Sequence, residues 1–545
     1  TVDTEALFKI IIGVVVVAAI LFLGRIMWRL TIFGASKKTE AGLRQEMFIK
    51  SARLPVTYYA KNKVGSVMDI FTADLETIEE FLGWGTIMLF DASFLAILVI
   101  VKMVLLDWVL SLIVFVPLIL IAVWGALVEK FMAAKWTERQ TEADRLYDFS
   151  RESFTGIRVI KAFLMNTRRL HDFAKIVKKN KEAGLSYARL SVLFDCLISI
   201  IIALITAIIL GVGGYFVYGA ATGSPIVIFG HEANLNAGGL VTFFGYFETM
   251  IWPMMALGQI ISMRSRAKAS LKRVSDFLNA DEKSDCENAT VLNDVKGAIS
   301  FKNFSFTYPD CASPAIKNIN LEIAAGERVG IVGKVGSGKT TLVNCLLKIY
   351  EMQGGGVFID GNDITRCDTK SVRNSIAYAP QDNFLFSDKI SGNIAFANSD
   401  CPPNIIERAA NFACIDGDIN NFKDGYDTVC GERGVTLSGG QKQRISIARA
   451  YVKDAPIMIL DDSVSAVDVK TEESILKSIE KEREGKTTLI IASRASTVAR
   501  MDKIIVMKDG ELEAFDTPEN LLKISPTYEK MVRLQALEDE VGGAL

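Results

Sequence analysis

Arg328-Val329-Gly330-Ile331-Val332 runs directly into Gly333-Lys334-Val335-Gly336-Ser337-Gly338-Lys339-Thr340, and Thr341-Leu342-Val343-Asn344 follows. The first segment reads as a buried strand, and the last opens a helix. Between them stands the spacing G-x-x-x-x-G-K-[ST], in the strand–loop–helix context that a phosphate-cradling loop requires. Gly333, Gly336 and Gly338 let backbone N–H groups, those of Val335 and Ser337 among them, converge on phosphate oxygens. Lys339 supplies a point charge for the β- and γ-phosphates, and the Thr340 hydroxyl a ligand for Mg2+, with Thr341 next along the helix. The helix N-terminus adds its dipole.

Working outward, Pro456-Ile457-Met458-Ile459-Leu460 reads as a second buried strand ending in Asp461. An acid at that place can hold Mg2+ through water. From Ile299 onward, β-type runs alternate with helical ones, which predicts an α/β domain over 298–545. The polar stretch Asn279 to Gly297 reads as a linker, bounded here as 281–297.

Residues 1–280 have another character. Half of the 545 residues are hydrophobic and mean hydropathy is positive, against an ordinary soluble enzyme. A membrane helix needs roughly 20 apolar residues. Trp108 to Val128 is such a run without charge, and Cys196 to Gly230 is a longer one. Leu7 to Leu23 contains Lys9, Phe81 to Val101 contains Asp91, and Leu240 to Met263 contains Glu248. Five spans follow. Lys and Arg crowd the segments after the first and third spans and are absent from Gly211 to Leu240, so the basic segments are cytosolic and the 211–240 loop is outside. Thr1 then lies outside, and the simplest repair is a further span upstream, six in all; a processed or engineered chain is the alternative. Within the cytosolic excursions, Phe71-Thr72-Ala73-Asp74 and Ala162-Phe163-Leu164-Met165 are candidate turns. Asp91 and Glu248 either contact a polar or cationic substrate, or sit at a water-accessible level or pair within the bundle.

Composition excludes more than it proposes. Lys+Arg 61 against Asp+Glu 63 leaves no global basic footprint for nucleic acid. The eight cysteines lack C-x-x-C spacing and read as reduced thiols. His171 and His231 are the only histidines, so no His-rich metal site is available.

Between the phosphate loop and Asp461 stands Leu437-Ser438-Gly439-Gly440-Gln441, followed by Lys442-Gln443-Arg444. With it, residues 298–545 resemble an ATP-binding cassette domain, and the first 280 resemble the transmembrane domain of the exporter type, fused in one chain. The resemblance implies ATP with Mg2+ as the bound nucleotide. It implies that Tyr308, in Phe306-Thr307-Tyr308-Pro309, stacks on adenine. Gln381, in Ala379-Pro380-Gln381, would sense Mg2+ and the attacking water, and Gly431-Glu432-Arg433-Gly434 would touch the cytosolic turns. Ser465-Ala466-Val467-Asp468 would form the loop that crosses to a second cassette. Two cassettes would sandwich two ATPs, each held by Lys339, Thr340 and Asp461 of one chain and by Ser438, Gly439, Gly440 and Gln441 of the other.

Two positions depart from that pattern. The catalytic carboxylate after Asp461 is normally Glu, and here it is Asp462. One methylene fewer leaves it roughly 1–1.5 Å short, and a misplacement of that size can cost about 10²-fold. The switch histidine, normally before an Arg, is Ser493 before Arg494. A serine brings no positive charge to the γ-phosphate, and no histidine exists beyond residue 231. The implied reading is a degenerate site in one half of a heterodimeric exporter in a bacterial plasma membrane. The partner would carry Glu and His at the matching positions. A homodimer with two slow sites and a nucleotide-gated regulatory or channel-type subunit remain open. The cargo class implied is amphipathic or hydrophobic: drug, lipid or peptide.

Overall fold

The computed structural model describes residues 4–222, 226–228, 231–233, 235–282, 289–309, 311–352 and 354–542. Two compact units emerge: Thr1–Ser51 with Gly65–Ala280, and Ala52–Val64 with Asp281–Leu545.

The helical unit is built from very long rods. Helix α1 spans Thr4–Arg53, α2 Val56–Lys61, α3 Val64–Leu106, α4 Trp108–Thr155, α5 Ile157–Ala162, α6 Asn166–Ala221 and α7 Ala237–Leu278. Among the described residues, α1, α3, α6 and α7 are long and apolar enough to cross a membrane, and α4 begins with the shorter apolar stretch Trp108–Ile119. The five apolar runs therefore begin on five separate helices, and the run from Cys196 outlasts α6, which ends at Ala221. At 1.5 Å per residue, 42 to 56 residues reach far beyond a hydrocarbon core of about 30 Å, so each long rod continues into water at one end. Asp107 makes the one-residue link between α3 and α4. It is buried and caps α4 by accepting from the Leu110 N–H at 2.8 Å. The apolar ends of α3, α4, α6 and α7 meet in a cluster of Val99, Met103, Leu110, Val114, Ile205, Phe216, Phe243 and Phe247. Strands β1 (Ile226–Ile228) and β2 (His231–Ala233) pair antiparallel between α6 and α7.

One expected turn is corrected. Phe71-Thr72-Ala73-Asp74 lies inside α3, within a π-helical turn at Ile70–Asp74. The chain reverses instead around α2, where Pro55 is extended (ψ 156°). Proline lacks the N–H that a continuing helix needs, so α1 ends before it. Asp74 faces α7 and forms a bidentate ion pair with Arg273 while accepting from Ser270 Oγ at 2.8 Å. The second expected turn is present: α5 ends at Ala162, and Phe163 to Met165 lead into α6.

The cassette holds two sheets. One is six-stranded in the order β12 (Glu511–Asp516), β11 (Lys503–Lys508), β5 (Arg328–Gly333), β10 (Thr487–Ile491), β9 (Ile457–Asp461), β8 (Ile376–Ala379). All its pairs are parallel except β11–β12. The other is four-stranded, β4 (Ile316–Ile323), β3 (Ile299–Phe306), β6 (Val357–Ile359), β7 (Asn362–Asp363). A parallel sheet covered on both faces reads as an unbroken apolar run. Strand β9 shows it: Ile457 and Ile459 enter one buried cluster with Leu342 and Val343, while Met458 and Leu460 enter the cluster on the opposite face. Of the expected linker 281–297, residues 283–288 lie outside the described residues. Thr290 donates its N–H to Arg366 O at 2.9 Å, and the N–H groups of Lys296, Gly297 and Ala298 all donate to the Asp360 carboxylate.

Candidate nucleotide site

Strand β5 delivers the phosphate loop and the helix Lys339–Leu346 leaves it. Gly333, Gly336 and Gly338 all have positive φ (152°, 84° and 97°), conformations that glycine adopts without a Cβ penalty. A Cβ on Gly336 would meet nothing within 4 Å, whereas one on Gly333 would press on the Met507 carbonyl. Val335 stands fully exposed at the loop tip. Ser337 is buried, and its Oγ is one of the buried polar side-chain atoms with no partner. An orphaned hydroxyl inside a glycine cradle fits a phosphate oxygen. Lys339 Nζ bridges the loop, donating to Gly333 O at 2.8 Å and Lys334 O at 3.0 Å. Burial lowers its pKa, and Asp462 and Asp461 counteract this.

Strand parity places the acid. Asp461 shares the face of Ile457 and Ile459, the side on which the Lys339–Leu346 helix packs. Thr340 Oγ1 donates to Asp461 Oδ1 at 3.4 Å. Among the described residues, no group of three or more His, Cys, Asp or Glu forms a metal cage. One hydroxyl and one carboxylate suit Mg2+, which keeps waters and takes phosphate oxygens for the rest. Burial raises the Asp461 pKa, while the hydroxyls of Thr340 and Tyr378 pull it down. Tyr378 was not expected here. It donates to Asp461 Oδ2 at 3.3 Å, and the same parity would have found it, since Ile376 and Tyr378 share that face.

Asp462 turns off the strand with φ 48°, in the left-handed region that Asp tolerates better than most residues. Its N–H donates to Ile491 O at 3.0 Å, which ties it to β10, two residues before Ser493. Burial raises its pKa; Lys339 and the side chains of Ser465 and Ser493 oppose that. So the structure brings Lys339, Thr340, Asp461, Asp462 and Ser493 together. Gln381 follows the end of β8 and is exposed. Tyr308 pairs its hydroxyl with Thr341 Oγ1 at 2.9 Å and stands edge-on to Tyr350, with ring centroids 5.0 Å apart.

The signature lies elsewhere on the surface. Ser438 caps the helix Gly439–Val452, with a reciprocal pair of bonds to Gln441 at 3.3 and 3.0 Å. Ser438 and Gly439 are exposed, while the Gln441 amide donates to Asp418. Asp468 caps its own helix, Val469–Glu482, through Thr471. Gln443, also unforeseen, is buried and ties the signature helix to the 462–466 turn.

A profile described as ABC transporter matches residues 316–465, and one described as ABC transporter transmembrane region matches 2–254. The chain is 34% identical to a probable multidrug resistance ABC transporter ATP-binding/permease protein of Bacillus subtilis, covering 99% of this chain and 90% of that one. The chain belongs to the ABC transporter family. Within this family it is also 33% identical to a multidrug resistance-like ATP-binding protein of Escherichia coli, over 96% of this chain and 87% of that one. An ATP-dependent lipid A-core flippase of Syntrophus aciditrophicus is 32% identical, over 92% and 81%. A bacterial Atm1-family ABC exporter solved with ATP bound shares the fold, with a TM-score of 0.80, 24% identity, and 98% and 92% coverage. This ABC transporter chain is thus a half-transporter: a multi-pass membrane domain fused to one ATPase cassette.

Proposed function

We propose that this chain is one half of a two-chain exporter in a bacterial plasma membrane, and that its own nucleotide site holds MgATP but hydrolyses it slowly. The functional division is 1–280 for the membrane path, 281–297 for the connection and 298–545 for the cassette. Residues 333–341 cradle the phosphates and Tyr308 lies against the base. Thr340 and Asp461 hold Mg2+, with Gln381 reporting on it. Mg2+ neutralises charge on the β- and γ-phosphates when bound.

The observation that carries the reading is the Asp462–Ser493 pair. A short carboxylate is met by a neutral hydroxyl where a longer acid and an imidazole would activate water and meet the γ-phosphate. The signature Ser438–Gln441 is intact, with Ser438 and Gly439 exposed to complete the site of the other cassette and Asp468 at the crossing loop. That asymmetry fits a partner with Glu and His at these two positions. The cargo is amphipathic or hydrophobic, in keeping with relatives named for multidrug resistance and for a lipid A-core flippase.

The test is purification through a tag on this chain. The reading expects a second cassette chain to copurify, and expects this chain alone to turn over ATP at least about 10-fold more slowly than the pair. Equal turnover by this chain alone would overturn it.

A further inference from the structure

Gln443 sits on the second turn of the signature helix and is 6% exposed. Its side chain is fully engaged with one stretch of chain. The amide donates to Asp462 O and to Ser465 Oγ, each at 3.3 Å, and its oxygen accepts from Ala466 N–H at 2.9 Å. Ser465 Oγ in turn donates to Asp462 O at 2.9 Å. A separate contact joins the same two pieces. Gly440, inside the signature, lies so close to the turn that a Cβ there would be 2.9 Å from Ala466 O. Ala466 is thus gripped on its N–H by Gln443 and packed on its carbonyl by Gly440. On the other flank, Arg444 donates to Asp418 Oδ2 at 2.6 Å and to Cys414 O at 2.7 Å, so the helix start is held from two sides.

We propose that Gln443 is a positioning residue that carries the nucleotide state of this chain's own site to this chain's own signature, and so to the partner's active site. The inference rests on the two-cassette reading above. The path is short and polar. Asp461 and Asp462 meet Mg2+ and nucleotide, Asp462 begins the 462–466 turn, and Gln443 fixes the Ser438–Gly439–Gly440 start of the helix relative to that turn. A site that hydrolyses slowly still changes state when ATP binds or leaves. Coupling through a buried, fully bonded amide lets that change alter hydrolysis across the dimer without chemistry of its own.

The test is a double-mutant cycle in the dimer purified from its native membrane through a tag on this chain. Lys339→Ala empties this chain's site. Gln443→Met removes all three bonds at similar volume. ATP turnover and KM are measured for the four combinations, with bound nucleotide counted by filtration. If Gln443 transmits, each single change lowers kcat by roughly 10-fold and the double change lowers it no further, a coupling within the range seen for groups in one network. KM for the hydrolysing site stays within about 2-fold. Gln443→Glu keeps the acceptor for Ala466 N–H, is expected to be intermediate, and replaces the Met variant in the cycle if that variant does not fold. Fold-changes that multiply would overturn the coupling while leaving the two-cassette reading standing. Purification of this chain without any second cassette chain, turning over ATP at the full rate, would overturn both.

Discussion

Tyr378 donates its hydroxyl to Asp461 Oδ2 at 3.3 Å, while Oδ1 of the same carboxylate accepts from Thr340 at 3.4 Å. The bond favours the ionised form of a carboxyl that burial pushes the other way. In the proposed site, Mg2+ needs that carboxylate ionised. Because the Asp461 pKa is raised, protonation begins at a higher pH on acidification than for an exposed Asp, and Mg2+ affinity falls with it. Tyr378→Phe removes one stabiliser of the charge, so the midpoint moves further up. Titrating Mg2+-dependent binding of a fluorescent ATP analogue between pH 5 and 8 checks this. On acidification the affinity of Tyr378→Phe is expected to fall earlier than that of the unmodified chain, by roughly 2–10-fold at a given pH, about the worth of one ordinary hydrogen bond.

Gly333 is required by its backbone. At φ 152°, with a Cβ position only 2.6 Å from Ser337 Oγ, any side chain distorts the loop mouth. Gly333→Ala is expected to abolish nucleotide binding and to destabilise the cassette by about 1–3 kcal/mol. Gly336→Ala, strained at φ 84° but with open space around its Cβ, is expected to keep the fold and lose less binding than Gly333→Ala. Thermal melting with and without MgATP separates the two.

Much of this was legible from residue order. The phosphate loop, Asp461 and the signature carry fixed spacings, and the two-faced burial of β9 follows from an uninterrupted apolar run. What sequence order hid were contacts between distant segments. Tyr378 and Gln443 look like ordinary strand and helix residues until the sheet order sets β8 beside β9 and the signature helix beside the 462–466 turn. The misplaced turn at Phe71–Asp74 has a local cause. Pro55 ends α1 and is the local mark of the reversal, whereas nothing near Asp74 in the sequence points to its partner Arg273, 199 residues away.

The ion pair of Asp74 with Arg273 offers a stability test in the helical unit. Asp74 is 6% exposed and its two oxygens are fully bonded, whereas the Arg273 side chain keeps half of its surface in solvent. Removing one member of a buried pair costs about 3–5 kcal/mol, and the exposure of Arg273 reduces this toward roughly 1–3. Asp74→Ala should therefore lower the melting temperature in detergent clearly. Arg273→Ala should do no less, since it leaves the more buried charge alone.

Cys345 follows the phosphate loop on its helix and is fully buried; burial pushes its thiol up to about 12. At pH 8 it holds almost no thiolate, the reactive form. Brief maleimide treatment of the native protein should label exposed Cys311 and leave Cys345 unmodified, as read by peptide mass. Labelling of Cys345 at the same rate would mean that the helix Lys339–Leu346 opens.

The proposed slow hydrolysis at this chain's own site turns on Asp462. The measurement is ATP turnover of the purified dimer carrying Asp462→Asn, set beside the amide substitution of the partner's matching acid. The account predicts that Asp462→Asn changes turnover by no more than about 2-fold, while the partner's substitution removes nearly all of it. A loss of about 10²-fold or more from Asp462→Asn alone would show that this carboxylate is itself the working base, and would contradict the account.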